Sequence, residues 1–265
     1  MSLLNFPSAL LRGPNGKLLK HPCMSNTYFQ FKQFIVQQDR CAMKVTTDAC
    51  LFGAWTAYQC REVLSKHLVL DIGTGTGLLS LMFSQKIESI IDAVEIDHQA
   101  FEQAKQNFDI SPWKNNIHPI LGDVRQMAFE KLYDIIISNP PFYENDLRSP
   151  SHSKNKAHHD ESLLLSDLLQ VIKKNLHTYG KFFLLLPYRR NYEIENFFKQ
   201  SALQLKSKVL VRPTTRHEPL RIMLEGIHEG EINEDASTGE IVIKDEHNRY
   251  TTAFTELLKD YYLHL

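Results

Sequence analysis

Residues 67–84 leave little choice of architecture. An apolar run, His67-Leu68-Val69-Leu70, continues into Asp71-Ile72-Gly73-Thr74-Gly75-Thr76-Gly77-Leu78, and an apolar helical stretch follows as far as Ser84. A short apolar run bounded by glycines reads as a strand buried on both faces. Three glycines at alternate positions let the backbone turn tightly and approach a ligand closely. The spacing is G-x-G-x-G, not the dinucleotide spacing G-x-G-x-x-G, and an acid precedes it. A carboxylate there repels a pyrophosphate and suits a cationic or amine-bearing ligand.

The rest of the chain repeats the strand–helix alternation. Ile90-Ile91-Asp92-Ala93-Val94 is the second strand, ending at Glu95; Asp97 caps a helix over 99–107. Residues 117–121 form the third strand, closed by Gly122-Asp123, and Tyr133-Asp134-Ile135-Ile136-Ile137-Ser138 the fourth. A helix over 161–175 ends in a Tyr179-Gly180 turn, and 181–186 is the fifth strand, stopped by Pro187. A helix covers 191–200. Segments 206–212 and 220–227 pair as an antiparallel hairpin around Pro213-Thr214-Thr215-Arg216. Before this core, 1–24 is a turn-rich arm, and 28–36 reads as one strand turning at Gln38-Asp39-Arg40. Thr46-Thr47-Asp48 caps an apolar helix over 49–58. Ile241-Val242-Ile243 and an amphipathic 251–262 form a C-terminal addition. The whole predicts an open α/β sheet, whose ligands bind at the carboxyl ends of the strands.

The fourth strand delivers Asn139-Pro140-Pro141-Phe142 to that edge. A planar exocyclic amine, such as the N6 amine of adenine, is a poor nucleophile because its lone pair is delocalised. The Asn139 side-chain oxygen can accept one amine hydrogen. The Pro140 carbonyl, aimed by the two prolines, can accept the other. Phe142 offers a face for stacking. Glu95 is placed to accept from both ribose hydroxyls of an adenosine group. Asp123 can accept from an adenine amine or serve as a turn residue. Lys44, Thr47 and Asp48 can reach a ligand, although capping is the simpler role for the last two.

Composition narrows the class. The chain has 265 residues, enough for one α/β domain with additions. No apolar stretch reaches membrane-spanning length and residues 1–11 lack a basic leader, so a cytoplasmic protein is expected. Cys23, Cys41, Cys50 and Cys60 show no C-x-x-C spacing and read as reduced thiols. His152, His158, His159 and Asp160 are not spaced on one element, and no metal is expected. The net charge of −1 argues against a generic nucleic-acid binder. Yet 1–48, 148–190 and 199–221 are basic while 225–246 is acidic, a segregation that can build a basic face.

The Gly loop, the acid ending the second strand and the strand-end Asn-Pro-Pro-Phe together resemble the class I S-adenosylmethionine-dependent methyltransferase fold. That resemblance implies a Rossmann-like, seven-stranded, mostly parallel sheet with an antiparallel last strand, plus N- and C-terminal additions. It implies segments 1–48 (arm and lid), 49–230 (methyltransferase domain) and 231–265 (extension). A closer resemblance spans nearly the whole chain. Phe31-Lys32-Gln33-Phe34, residues 39–45 (Asp-Arg-Cys-Ala-Met-Lys-Val), Thr47-Asp48, Gly53-Ala54-Trp55 and the ending Tyr261-Tyr262-Leu263-His264-Leu265 are similar to the bacterial tRNA adenine-N6 methyltransferases acting at position 37 of a valine tRNA. Thr46 and Ala49-Cys50 stand where smaller or more aliphatic residues are expected.

The resemblance implies S-adenosylmethionine as cofactor. Asp71, Gly73, Thr74, Gly75 and Gly77 would line its methionine and ribose side, Glu95 and Ile96 the ribose, and Asp123 and Val124 the adenine. Asn139 to Phe142 would hold the acceptor amine. Phe142, Tyr143, Arg148, Lys154, Lys156, Arg212 and Arg216 would meet the tRNA, and the assembly would be a monomer or small homo-oligomer. The alternatives are N5-methylation of a release-factor glutamine, methylation of another RNA or DNA base, an NAD-linked oxidoreductase, and a non-catalytic RNA-binding module.

Overall fold

The structure is a computed structural model that describes residues 26–41, 43–62, 66–140, 163–198, 203–228 and 236–265. Its centre is an eight-stranded sheet. In chain order the strands are β3 (His67–Ile72), β4 (Ser89–Glu95), β5 (Ile117–Leu121), β6 (Tyr133–Ser138), β7 (Leu176–Pro187), β8 (Leu203–Thr214), β9 (Arg221–His228) and β10 (Ser237–Lys244). The spatial order is β10-β8-β9-β7-β6-β3-β4-β5. The pairs from β5 across to β7 are parallel, and β9 runs antiparallel between β7 and β8. Seven strands therefore form the expected mostly parallel sheet with an antiparallel last strand, β9. The eighth, β10, pairs parallel to β8 and extends the edge.

The central strands are apolar on both faces because both are covered. Val69, Ile135, Ile137, Phe183 and Leu185 enter one core. Leu70, Ile72, Ile136, Phe182 and Leu184 enter the other. Against the first lie helices α1 (Thr47–Gln59), α2 (Leu78–Ser84), α3 (His98–Asp109) and α6 (Thr252–Leu258). Against the second lie α4 (Leu165–Asn175) and α5 (Asn191–Phe198). Helix α1 is buried throughout residues 49–57, wedged between α2 and α6, which explains an apolar helix with no polar face.

The strand order reverses at β3: β4 lies on one side and β6 on the other. The ends of β3 and β6 are neighbours, with Ile72 opposite Ser138 and the Ser138 hydroxyl donating to the Ile72 carbonyl at 2.8 Å. The Gly loop and Asn139 consequently leave the sheet side by side at the topological switch point.

Four local readings differ from the structure. Residues 28–36 are not one strand but a hairpin of β1 (Tyr28–Gln30) and β2 (Ile35–Gln37). The Phe31 amide donates to the Phe34 carbonyl at 2.9 Å, and the two rings stack with centroids 4.5 Å apart. Burying both rings on one side breaks the alternation. No turn separates α4 from the fifth strand either: β7 starts at Leu176 and runs through Tyr179-Gly180. Its irregularity shows instead as a register shift against β6 between Tyr133 and Ile135. The cap of α1 is Thr46, whose hydroxyl accepts the Ala49 amide, not Thr47 or Asp48. The C-terminal segment is not merely appended. Lys32 donates its amide to the Tyr261 carbonyl at 2.8 Å, and Tyr261 Oη donates to the Met82 carbonyl at 3.0 Å. Among the described residues Cys41, Cys50 and Cys60 are free thiols; burial pushes Cys50 and Cys60 up to about 12.

Candidate active site

A cavity of about 550 Å³ opens at the switch point. Its lining includes Gly73–Thr76 after β3, Glu95–His98 at the end of β4, Gly122–Arg125 after β5, Asn139–Pro140 after β6, and Cys41 with 43–45 from the N-terminal segment. Its size falls within the ~300–1,000 Å³ of small-molecule sites.

The Gly loop forms the floor. Gly73 and Gly75 have φ of 70° and 59°, and a Cβ on either would meet no atom within 4 Å. Side chains there would be strained and would project into open space, so the loop presents bare backbone to a ligand. Gly77 has a different task. A Cβ on it would lie 2.3 Å from the Phe108 ring, so this residue lets α2 pack on α3. It is not part of the lining.

Asp71 is also outside the lining, beneath the loop and fully buried. One carboxyl oxygen accepts from Thr74 Oγ1 at 2.7 Å and Ser80 Oγ at 2.6 Å; the other has no partner. Burial pushes its carboxyl up to about 6, against the two hydroxyls and with a small addition from Glu95. Asp71 braces the loop rather than facing the cavity.

Glu95 does face the cavity. Its Oε1 accepts the Ile96 and Asp97 amides at 2.9 and 3.0 Å, and Oε2 the Gly75 amide at 2.8 Å. These bonds aim the carboxylate and tie the second strand end to the loop. About one of its four lone-pair positions is left for a ligand hydroxyl. Asp97 caps α3 by accepting from the Ala100 amide at 2.8 Å.

Asp123 lines the cavity but is engaged by Arg125, whose Nη2 lies 2.7 Å away with Nε at 2.9 Å. That guanidinium holds the carboxyl below the usual carboxylate range. Ile96 and Val124 line the same region. Lys44 also lines the cavity, while Thr47 and Asp48 do not. Asp48 instead accepts from Arg221 Nε at 2.9 Å, joining α1 to β9.

Asn139 and Pro140 line the cavity at the end of β6. Pro141, Phe142, Tyr143, Arg148, Lys154 and Lys156 lie outside the described residues, as do His152, His158, His159 and Asp160. Arg212 and Arg216 sit at the β8–β9 tip, on the same sheet edge as Asn139 but three strands away, about 14 Å. Arg212 is ion-paired with Glu240 and donates to the His217 carbonyl, so its charge is largely offset. Arg216 is exposed.

The reading by residues missed Arg125, His98, Cys41, Met43 and Val45 as wall residues. Cys41, Met43 and Val45 fall in the motif at 39–45, so a signal existed. Arg125 and His98 carried none. Among the described residues no group of three or more His, Cys, Asp or Glu is placed to hold a metal. No described helix is long and apolar enough to cross a membrane.

The methyltransferase small domain family matches residues 59–206. A protein of Cytophaga hutchinsonii, named tRNA1(Val) (adenine(37)-N6)-methyltransferase, is 38% identical over 246 residues, covering 91% of this chain and 100% of its own. One of the same name from Parabacteroides distasonis is 36% identical over 243 residues, covering 91% and 99%. Among solved structures, one described as a predicted O-methyltransferase from Agrobacterium tumefaciens superposes with a TM-score of 0.57. It is 13% identical and covers 80% of this chain and 95% of its own, a likeness of fold.

Proposed function

The chain belongs to the methyltransferase small domain family and, within it, to the bacterial tRNA1(Val) (adenine(37)-N6)-methyltransferases, and from that premise we propose that it methylates the N6 amine of adenine-37 in a valine tRNA, with S-adenosylmethionine as donor. The observation that carries the reading is that Asn139 and Pro140 share one cavity with Glu95 and the open Gly73–Gly75 cradle. Donor and acceptor ends of a transfer site thus meet at the switch point.

The cavity's chemistry fits the donor. Bare glycine backbone suits close approach, Glu95 has a lone pair open to a ribose hydroxyl, and Ile96 and Val124 flank a region suited to a flat base. Lys44 and Asp123 line it too, and Asp123 acts there as a pair with Arg125. When bound, S-adenosylmethionine supplies a methyl group already activated on a sulfonium, so the chain need only align and polarise.

Asn139 Oδ1 accepts one hydrogen of the target amine and the Pro140 carbonyl the other. Holding both out of plane localises the nitrogen lone pair toward the methyl. Pro141 restricts the Pro140 carbonyl, and Phe142 stacks on the flipped base. Flipping is cheap in an anticodon loop, where the base is poorly paired. The amine proton, acidic after transfer, leaves to water, and no side chain acts as general base. Of residues 1–48, expected as arm and lid, 1–25 lie outside the described residues, and Cys41 with 43–45 line the cavity. Tyr143, Arg148, Lys154, Lys156 and Arg216 meet the tRNA, with Arg212 a weaker contributor because Glu240 engages it.

Transfer of labelled methyl to unmodified tRNA, followed by nucleoside analysis, tests this. Label in N6-methyladenosine is expected, lost in Asn139→Ala while cofactor binding by calorimetry persists. Label in protein but not in tRNA would move the acceptor to a glutamine side chain and refute the tRNA reading.

A further inference from the structure

Between the end of β2 at Gln37 and the start of α1 at Thr47 the described residues have no regular secondary structure, yet four of them form a wall of the cavity. Its backbone is held by side chains. The Arg40 amide donates to Gln103 Oε1 at 3.0 Å, and the Val45 amide to Gln38 Oε1 at 2.9 Å. Asn107 Oδ1 accepts the Gln37 amide at 2.8 Å, and its Nδ2 donates to the Gln37 carbonyl at 2.9 Å. The second Nδ2 hydrogen goes to the Thr76 carbonyl, in the Gly loop, at 2.8 Å. Gln103 and Asn107 are fully buried and Gln38 is 4% exposed.

We propose that Gln38, Gln103 and Asn107 are positioning residues for the methyl donor, a carboxamide latch that hangs the N-terminal wall and the Gly loop on one helix. A primary amide carries donor and acceptor in one plane and so replaces the ladder partner that an irregular segment lacks. Gln103 and Asn107 are i and i+4 on α3 and therefore share a face. Asn107 bonds wall and floor at once, so the two cannot separate without leaving buried backbone groups unpaired. Phe108, the next residue, holds Gly77 at the end of the same loop. Cavity width is thus set from outside the cavity by residues that touch no ligand. Carboxamides do not titrate, so the latch is independent of pH.

The inference rests on the reading that this cavity holds S-adenosylmethionine, and the test separates the two. The probe is S-adenosylhomocysteine, titrated calorimetrically into the full-length protein and its Gln103→Leu and Gln38→Leu variants. Steady-state kinetics and amide exchange at Arg40 and Val45 accompany it. Both substitutions keep a side chain of similar size, make it apolar and remove the acceptor. Each is expected to raise the dissociation constant and the cofactor KM about tenfold, as losing one buried hydrogen bond implies. Values of kcat at saturating cofactor and of KM for tRNA should stay within twofold. Exchange should quicken at Arg40 in the first variant and at Val45 in the second. Affinity within twofold of wild type in folded variants, or a fall in kcat with unchanged cofactor KM, would overturn the latch. If Gln103→Leu fails to fold, Gln38→Leu, nearer the surface, decides. Wild-type protein that binds no S-adenosylhomocysteine would overturn the cofactor reading itself.

Discussion

Asp71→Asn tests the brace beneath the Gly loop through its pH dependence. The carboxyl is pushed up to about 6 from an ordinary value of 3.8, chiefly by burial. A folded-state value above the unfolded one means that the native protein binds the proton more tightly. The resulting stability is full below about pH 3.8 and is lost as pH rises through about 6. Linkage then makes the group on the order of 1–2 kcal/mol more favourable to folding at pH 5 than at pH 8. Asparagine cannot titrate and removes this difference. Its unpaired amide hydrogens carry a penalty, but one that is equal at both pH values and so cancels. The melting temperature of the variant minus that of wild type should therefore be about 3–5 °C higher at pH 8 than at pH 5. The binding consequence is separate. Both hydroxyls bond to one carboxyl oxygen, so the acid keeps them with its proton on the other oxygen, and asparagine keeps them with its amide nitrogen there. Cofactor affinity should therefore hold between pH 5 and pH 8 and in Asp71→Asn, whereas Asp71→Ala, which removes both bonds, should weaken it. Thermal denaturation at the two pH values, paired with calorimetric titration, measures both. A melting difference equal at pH 5 and pH 8 would refute the buried-acid argument. Unchanged affinity in Asp71→Ala would refute the bracing role.

Gly77→Ala forces a side chain at φ 80° and sets its Cβ 2.3 Å from the Phe108 ring. A loss of about 2–4 kcal/mol is expected in chemical denaturation, with partial recovery on adding Phe108→Leu; full stability in the single variant would contradict the packing. Glu95→Gln swaps an acceptor of three backbone amides for a group that can keep only some of them, so cofactor affinity should fall at least tenfold by calorimetry. An unchanged dissociation constant would remove Glu95 from the site. Transfer to tRNA should weaken steeply with added salt if phosphates are bound. Arg216→Ala should lower the salt slope more than Arg212→Ala, since Glu240 already holds Arg212. Equal slopes would argue against that difference.

Legibility varied with the range of the interaction. Thr46 and Ala49-Cys50, where smaller or more aliphatic residues were expected, have ordinary roles here: Thr46 caps α1, Ala49 lines the cavity and Cys50 is buried in the core. The 28–36 stretch misled because its apparent alternation hides two aromatic rings that turn to the same side. Asp123 was expected at the ligand, and it does line the cavity. Its grip on Arg125 was not visible, because that bond depends on the single turn of 3₁₀ helix at 124–126.

The strand–helix alternation, the Gly loop between β3 and α2, the acid at the end of β4 and the Asn-Pro at the end of β6 were determined by the sequence alone. Each is a matter of periodicity or backbone restriction within a dozen residues, where local chemistry has few competing outcomes. Which polar groups face the cavity was decided only by the tertiary structure. Asp48 lies far in sequence from Arg221 and yet pairs with it, Asp71 turns under the loop to two hydroxyls, and Asn107 reaches both Gln37 and Thr76. A carboxylate or carboxamide takes whichever donors folding brings within about 3 Å, and those distances are set by how helices and strands pack rather than by the residues beside it in the chain.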